Sequence, residues 1–314
     1  MAAPIAAVVL TYNSTDDLPH CLTGLAAQRG VDLRVIVVDN ASRPDARAVM
    51  EAQFSEAFPS GVVLSAGENP SSEAHHLFLC NHQNSGYSGG NNIGARAASA
   101  SGCTSVLIIN PDVRISDPYY VAGLAELIVA NPKTAVACST LTNLSGMQEN
   151  PMNEPGFVEE MLWPVSMFAA GLFLSRPSAT LLPTEPIRVS KVCGACFLIR
   201  MDFLNRIGFF DESVFLYCEE SILRAQVRAA GWHMVMEPHL YALHAHHSNA
   251  KGDQVSRFRV WAESRRRFHM VYGGYGKFRQ GILGVSRHLT LALIKGRALF
   301  KELWIRSMNG RGAS

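Results

Sequence analysis

Glu219 and Glu220 are the residues of this chain best placed to do chemistry, because the sequence sets both carboxylates where a helix begins. They follow the apolar run Val214 to Tyr217 and precede a segment of helical spacing that stops at Gly231. The positive end of a helix favours an ionised carboxylate, so one of the pair is placed to take a proton from a substrate hydroxyl. Acidic residues in a first helical turn are also ordinary, and Glu220 can pair with Arg224 one turn on for only ~0.2–0.5 kcal/mol. The pair alone does not decide between these readings.

Elements that would position such a site stand in the first 112 residues. Ile5 to Leu10 is an apolar run ending in Thr11-Tyr12-Asn13, and Leu33 to Val38 is another ending in Asp39-Asn40-Ala41-Ser42. Each reads as a buried parallel strand whose carboxyl end opens into a polar loop, where open α/β sheets bind ligands. Asn84 to Gly94, NSGYSGGNNIG, reads as a glycine-rich turn opening an alanine-rich helix, its glycines letting backbone amides approach a phosphate or sugar. It lacks the G-x-G-x-x-G spacing and follows a later strand, which argues against a dinucleotide fold. Val106 to Ile109 is a further buried strand, ending in Asn110-Pro111-Asp112, and the proline presents Asp112 from a stiff turn.

Five motifs in order, TYN, VDNAS, N-x-G-x-x-G-G-N-N-x-G, NPD and GFFDE with FLYCEE, resemble glycosyltransferase family 2, specifically its rhamnosyltransferase-like branch. The resemblance runs from about Ile5 to Ser248. It implies the GT-A fold, an α/β nucleotide-sugar-binding sandwich with a mostly parallel central sheet and helices on both faces, and inverting sugar transfer. By the same resemblance Thr11, Tyr12, Asn13 and Asp39 line the nucleotide pocket, with Asp39 accepting from a pyrimidine N3–H. Asn84, Gly90 and Asn92 sit near the ribose and diphosphate, Asp112 holds a divalent metal, Mg or Mn, and Glu220 is the base. The implied donor is a dTDP- or UDP-sugar, with dTDP-rhamnose favoured, and the implied acceptor is a bacterial surface glycan or lipid-linked oligosaccharide.

The chain departs from the family pattern twice. The first carboxylate of the usual D-x-D metal motif is Asn110, which makes the site less anionic. The usual Glu-Asp-x-Asp base motif is Glu219-Glu220-Ser221-Ile222, so the acid at the base position is one methylene longer and Glu219 stays a second candidate. His244, after a strand expected around Met234 to Glu237, falls where the family often places a late histidine near the metal. Alternating histidines at a strand end are also ordinary polar surface, and that reading suits His246 and His247 better.

Seven cysteines without regular spacing suggest reduced thiols. Cys193 and Cys196 lie in a strand expected from Val189 to Arg200, where residues three apart face opposite sides, and no second C-x-x-C completes a zinc site. No basic n-region precedes the first apolar run, so no signal peptide is expected, and no segment has the ~18–20 apolar residues of a membrane span. Met161 to Leu174 comes nearest, inside a segment, Thr142 to Ile187, expected to be a variable insertion near the acceptor. These features suit a cytoplasmic enzyme.

Charge is uneven. Residues 257–314 hold 13 of the 28 Lys and Arg with two acids, leaving 15 basic against 24 acidic residues upstream. Gly281 to Arg306 reads as a cationic, apolar helix of the kind that lies on anionic membranes, placing the protein at the inner face of the cell membrane. Core packing or oligomer contacts explain its apolar residues equally well. Without a nucleic-acid-binding motif or a basic catalytic domain, nucleic acid is not an expected partner. The expected organisation is a GT-A domain over 1–250 and a helical extension over 251–314. A nucleotidyltransferase would want basic residues for a triphosphate, and Thr11 to Asp17 has none. A sugar-binding scaffold would not need Glu219 and Glu220, and a membrane adaptor would need only the last helix.

Overall fold

The computed structural model describes residues 3–65, 68, 74–169, 183–246 and 253–311, with 301–311 followed as helix backbone only. In chain order the elements are β1 (Ile5–Thr11), α1 (Leu18–Ala26), β2 (Leu33–Asp39), α2 (Pro44–Ala57), β3 (Val62–Ser65), β4 (Leu77–Cys80), α3 (Gly86–Ala100), β5 (Ser105–Ile109), β6 (Val113–Arg114), α4 (Tyr120–Ala130) and β7 (Thr134–Asn143). They continue with α5 (Phe157–Met161), α6 (Trp163–Ala169), β8 (Ile187–Val189), β9 (Cys196–Arg200), α7 (Met201–Arg206), α8 (Glu219–Ala229), β10 (His233–His244), α9 (Gln254–Val271) and α10 (Lys277–Arg311). They fall into two compact units, Met1–Asn153 with Leu182–His247, and Glu154–Leu181 with Ser248–Ser314.

The first unit is built on one sheet, in the order β3-β4-β2-β1-β5-β9-β7-β10-β6, with β8 also paired to β10. From β3 to β5 every pair is parallel; β9 runs antiparallel between β5 and β7, and β10 is parallel to β7. The apolar runs are continuous because both faces are covered. Ile5, Ala7 and Val9 pack with Leu18, Leu22 and Phe54 of α1 and α2, while Ala6 and Val8 pack with Ala95 and Ala98 of α3. Each fully buried valine or isoleucine contributes about 1.5–3 kcal/mol. The strands expected at 5–10, 33–38 and 106–109 are β1, β2 and β5, and the register Thr11↔Asp39 brings two of the polar ends side by side.

Two expectations are corrected. The glycine-rich stretch is not a turn before a helix, since α3 begins at Gly86 and already contains Gly89, Gly90 and Gly94. Only Gly86 needs glycine for its dihedral, at φ 75°. Gly90 and Gly94 are there for close packing: a Cβ would lie 2.3 Å from Leu10 Cδ1 at the first and 2.5 Å from Val8 Cγ1 at the second. The expected strand over 189–200 is two strands, β8 and β9, separated by residues 190–195. Side chains and backbone together hold that intervening strap: Asn150 Oδ1 accepts from Cys193 N at 2.7 Å, the Tyr87 hydroxyl donates to Gly194 O, Lys191 O accepts from Met152 N at 3.0 Å and Ala195 O from Asn110 N at 2.8 Å.

In the second unit, Asp253 caps α9 by accepting from Val255 N and Ser256 N. Buried Glu160 joins Arg265, with His269 Nε2 at 3.1 Å from its carboxylate, and Arg287 Nη1 lies 3.0 Å from His269 Nδ1. This buried network ties α5, through Glu160, to Arg265 and His269 of α9 and on to Arg287 of α10. Leu283, Thr290 and Ile294 form the buried stripe of α10, while Phe278, Val285, Leu289, Leu299 and Phe300 are exposed. Among the described residues no helix is long and apolar enough to cross a membrane. Residues 170–174 of the apolar segment, together with His247 and Ser248, lie outside the described residues.

The packing role of Gly94 gives a clear expectation. Gly94→Ala gains up to about 1 kcal/mol of helix propensity but overpacks α3 against the β-branched Val8, at about 1–3 kcal/mol, so chemical denaturation should show net destabilisation. Gly281→Ala, in open space on α10, should stabilise instead. A more stable Gly94→Ala protein would contradict this packing.

Candidate active site

The site is assembled where the sheet's carboxyl ends open. β6 follows the Asn110-Pro111-Asp112 turn and pairs antiparallel with the end of β10, with Val113 opposite His244. Ala245 N donates to Asp112 O at 2.8 Å, which locks the histidine-bearing strand end to the turn. As a result His244 Nε2 lies 3.3 Å from Asp112 Oδ1, and His246 Nδ1 lies 3.3 Å from Asp112 Oδ2. The two imidazoles stack with centroids 5.5 Å apart. His246, read from sequence as polar surface, is thus part of the cluster.

One donor atom from each of Asp112, His244 and His246 falls within 4.8 Å of the others. A carboxylate oxygen with two imidazole nitrogens is a donor set that Mn2+ accepts more readily than Mg2+, which prefers oxygen ligands throughout. Burial lowers the pKa of His244, but hydrogen bonds and charge from Asp112 and Glu149 outweigh it and raise the net value.

Glu219 and Glu220 open α8 as expected. The two residues before them, Tyr217 at φ 70° and Cys218 at φ 68°, are consecutive non-glycine residues in the left-handed region. Such conformations cost of order 1–3 kcal/mol each and persist where surrounding structure imposes them. Here the start of α3 does so: Tyr87 N donates to Phe215 O at 2.9 Å, and a Cβ on Gly86 would lie 2.2 Å from the same oxygen. Glu219 is half-buried with its Oε2 shielded from solvent, and desolvation with the neighbouring Glu220 charge pushes its pKa up to about 8. The two carboxylates therefore do not both ionise readily at neutral pH.

Residues 193–195 link the two clusters. Ala195 O accepts from Asn110 N at 2.8 Å, two residues before Asp112. On the other side, a Cβ on Gly194 would lie 3.1 Å from Glu220 Oε1 and 3.4 Å from the Tyr87 hydroxyl. Burial first, and then the charges of Glu220 and Glu149, push the Cys193 thiol up to about 12. None of the seven cysteines is in a disulfide.

The remaining expected residues lie at the ends of β1 and β2 and along the start of α3. Thr11 Oγ1 donates to Val38 O at 3.2 Å, Tyr12 is exposed, and Asn13, at φ 53°, donates its N–H to Ser42 Oγ and accepts from Arg43 N. Asp39 is fully buried; it accepts from Ser42 N at 3.2 Å and from Arg47 Nε at 2.6 Å. Asn84 Oδ1 accepts from Asn40 Nδ2 and Gly86 N, both at 3.0 Å. The Asn92 amide bonds Phe210 O, Phe210 N and Glu212 Oε1, tying α3 to the segment before α8. Sequence reasoning missed Asn40, whose Oδ1 accepts from Asn81, Ser85 N and Ser85 Oγ, and it also missed Arg47, Tyr87 and Glu149. The VDN triplet was the available signal for Asn40.

Residues 6–208 match the model of glycosyl transferase family 2. The chain belongs to that family. A Haloferax volcanii protein, low-salt glycan biosynthesis hexosyltransferase Agl10, is 27% identical over 276 residues, covering 80% of each chain. The mannosyltransferase PcManGT from Pyrobaculum calidifontis, solved with GDP-Man and Mn2+, superposes with a TM-score of 0.57 at 16% identity, over 95% of this chain and 76% of its own. GalNAc-T7, solved with UDP, GalNAc and Mn2+, gives a TM-score of 0.58 at 11% identity, over 91% of this chain and 54% of its own. The fold of this family 2 chain is therefore GT-A, with a helical C-terminal region, and its activity is glycosyl transfer.

Glu219 yields a pH-dependent expectation. A carboxyl raised by folding from 4.5 to about 8 costs the fold nothing below pH 4.5, and its cost grows as pH rises to about 8. Glu219→Gln should therefore raise Tm relative to wild type by more at pH 8 than at pH 5. An equal or larger gain at pH 5 would contradict the raised carboxyl.

Proposed function

We propose that this family 2 enzyme is a metal-dependent, inverting glycosyltransferase that moves a sugar from a dTDP- or UDP-sugar, with dTDP-rhamnose the first donor to test. The acceptor is a hydroxyl of a bacterial cell-surface glycan or lipid-linked oligosaccharide. The observation that carries the reading is that residues 193–195 hydrogen-bond at Ala195 to the turn bearing Asp112, the residue that gathers His244 and His246, and lie at Gly194 against Glu220. Agl10, a hexosyltransferase named for glycan biosynthesis, and two GT-A neighbours solved with Mn2+ support it.

In this reading Thr11, Tyr12, Asn13 and Asp39 line the nucleoside pocket, with Arg47 holding the Asp39 carboxylate in place. Asn84 faces the ribose and diphosphate, while Gly90 and Asn92 keep α3 pressed on the pocket floor. Asp112, His244 and His246 hold Mg2+ or Mn2+. A cation there neutralises charge on the departing diphosphate. Glu220 takes the acceptor hydroxyl proton as the acceptor oxygen bonds to the anomeric carbon and the carbon–diphosphate bond breaks. Displacement from the opposite face inverts that carbon, and no protein nucleophile is used. Desolvation and the neighbouring Glu220 charge hold Glu219 toward its protonated form.

Glu220→Gln keeps the shape and removes the proton acceptor, so kcat should fall by about 10²–10⁴ while donor Kd changes little. Turnover within threefold of wild type would remove Glu220 from the role and make Glu219→Gln the next variant to assay.

The C-terminal helix suits an anionic membrane surface. Phe278, Val285, Leu289, Leu299 and Phe300 share one exposed helical stripe, flanked by Arg279, Lys295 and Arg297. Each basic residue near anionic lipid contributes about 1 kcal/mol, screened by salt. In this reading the enzyme works at the cytoplasmic face of the membrane. Phe278→Glu with Leu289→Glu should abolish cosedimentation with phosphatidylserine vesicles at low salt and leave transfer to a short soluble acceptor within twofold. Unchanged sedimentation would exclude the membrane role, and a loss of self-association instead would assign the stripe to an oligomer.

A further inference from the structure

We propose that Glu149 is a positioning residue for the metal centre, acting through His244 and standing in for the carboxylate that the Asn110-Pro111-Asp112 turn lacks. The inference rests on the proposed metal role of Asp112, His244 and His246.

Glu149 Oε2 lies 2.6 Å from His244 Nδ1. A carboxylate at that distance from a ring nitrogen accepts its proton, so Nδ1 carries the hydrogen and the lone pair of a neutral imidazole resides on Nε2. That is the nitrogen 3.3 Å from Asp112 Oδ1. The side chains of His244 and Glu149 are 13% and 25% exposed, so this is not a loose surface pair.

The backbone holds Glu149 on both sides. After β7 the chain turns through 143–147, where Asn143 Oδ1 accepts from Ser145 N and Met147 N, and Thr142 bridges back to Gln148. Glu149 N then donates to Leu141 O at 2.7 Å. The next residue, Asn150, is buried, donates to Ser139 O at 3.1 Å and accepts from Cys193 N at 2.7 Å. Its neighbours thus aim the carboxylate before any ligand arrives, as a supporting shell must.

The arrangement answers the weakness at Asn110. A family site with two carboxylates in its turn would carry one more negative charge beside the cation than Asp112 alone. Glu149 returns that charge one residue outward, raising the basicity of His244 and fixing its ring, as hydrogen-bonded carboxylates do for metal-bound histidines.

The test is Mn2+ titration of the full chain, without donor, with free Mn2+ read by electron paramagnetic resonance. Wild type should bind one Mn2+, Glu149→Gln should bind about 10–100-fold more weakly, and Glu149→Ala at least as weakly. Adding Asn110→Asp to Glu149→Gln should recover part of the loss. A wild-type protein that binds no Mn2+ would sink the metal reading itself. Binding by Glu149→Gln within twofold of wild type, or a double variant no better than Glu149→Gln, would overturn the role of Glu149 while leaving the metal intact. Should the Glu149 variants fail to fold, nitrogen-15 spectra of the wild-type His244 ring with saturating Mg2+ carry the test. A proton on Nδ1 supports the proposal, and a bare Nδ1 overturns it.

Discussion

One hydrogen bond, from Asn110 N to Ala195 O, joins two parts of the chain that the rest of the site depends on. It sews the turn bearing Asp112 to the strap between β8 and β9, and the absent side chain of Gly194 lets the Glu220 carboxylate close on that strap from behind. Tyr87 completes the arrangement, with its hydroxyl on Gly194 O and its N–H on Phe215 O just before α8. A shift of the strap would therefore move the acidic pair relative to the Asp112 cluster. Catalytic geometry tolerates only about 0.5 Å of such movement.

The electrostatics of the two clusters are opposed. Around Asp112, alternation of carboxylates and imidazoles lets negative charge accumulate, since His244 sits between Asp112 and Glu149. At α8 two adjacent carboxylates meet burial instead, and one of them is driven toward the protonated form. Carboxylates thus meet imidazole partners at Asp112 and Glu149, and at Glu219 they meet desolvation and a like charge. Environment, set by which side chains the strap admits, makes the difference.

Much of this was legible in the sequence because the strands are covered on both faces. Ile5 to Leu10, Leu33 to Val38 and Val106 to Ile109 show as unbroken apolar runs, and their polar ends mark the pocket edge. The first turn of α8 was legible for a similar reason, since Gly231 stops a clear helical period. The glycines of α3 were misread because a glycine that bends the chain and one that lets a helix press on a strand look alike. Only the Leu10 and Val8 side chains distinguish them. His246 and Glu149 were not legible because their importance comes from register. Glu149 reaches His244 across 95 residues through a hairpin, and nothing in local spacing encodes that meeting. The strap reads as strand because apolar residues and cysteines suit one, whereas side-chain bonds from Asn150 and Tyr87 interrupt the ladder between single backbone bonds at Lys191 and Ala195.

The most direct measurement is a crystal structure of the protein with Mn2+ and a nucleoside diphosphate, with the metal located by its anomalous signal. A single peak in contact with Asp112, His244 Nε2 and His246, with the diphosphate on it and Glu220 facing the open side, is the expected result. A peak elsewhere, or a diphosphate bound away from Asp112 with no metal between them, would contradict the account.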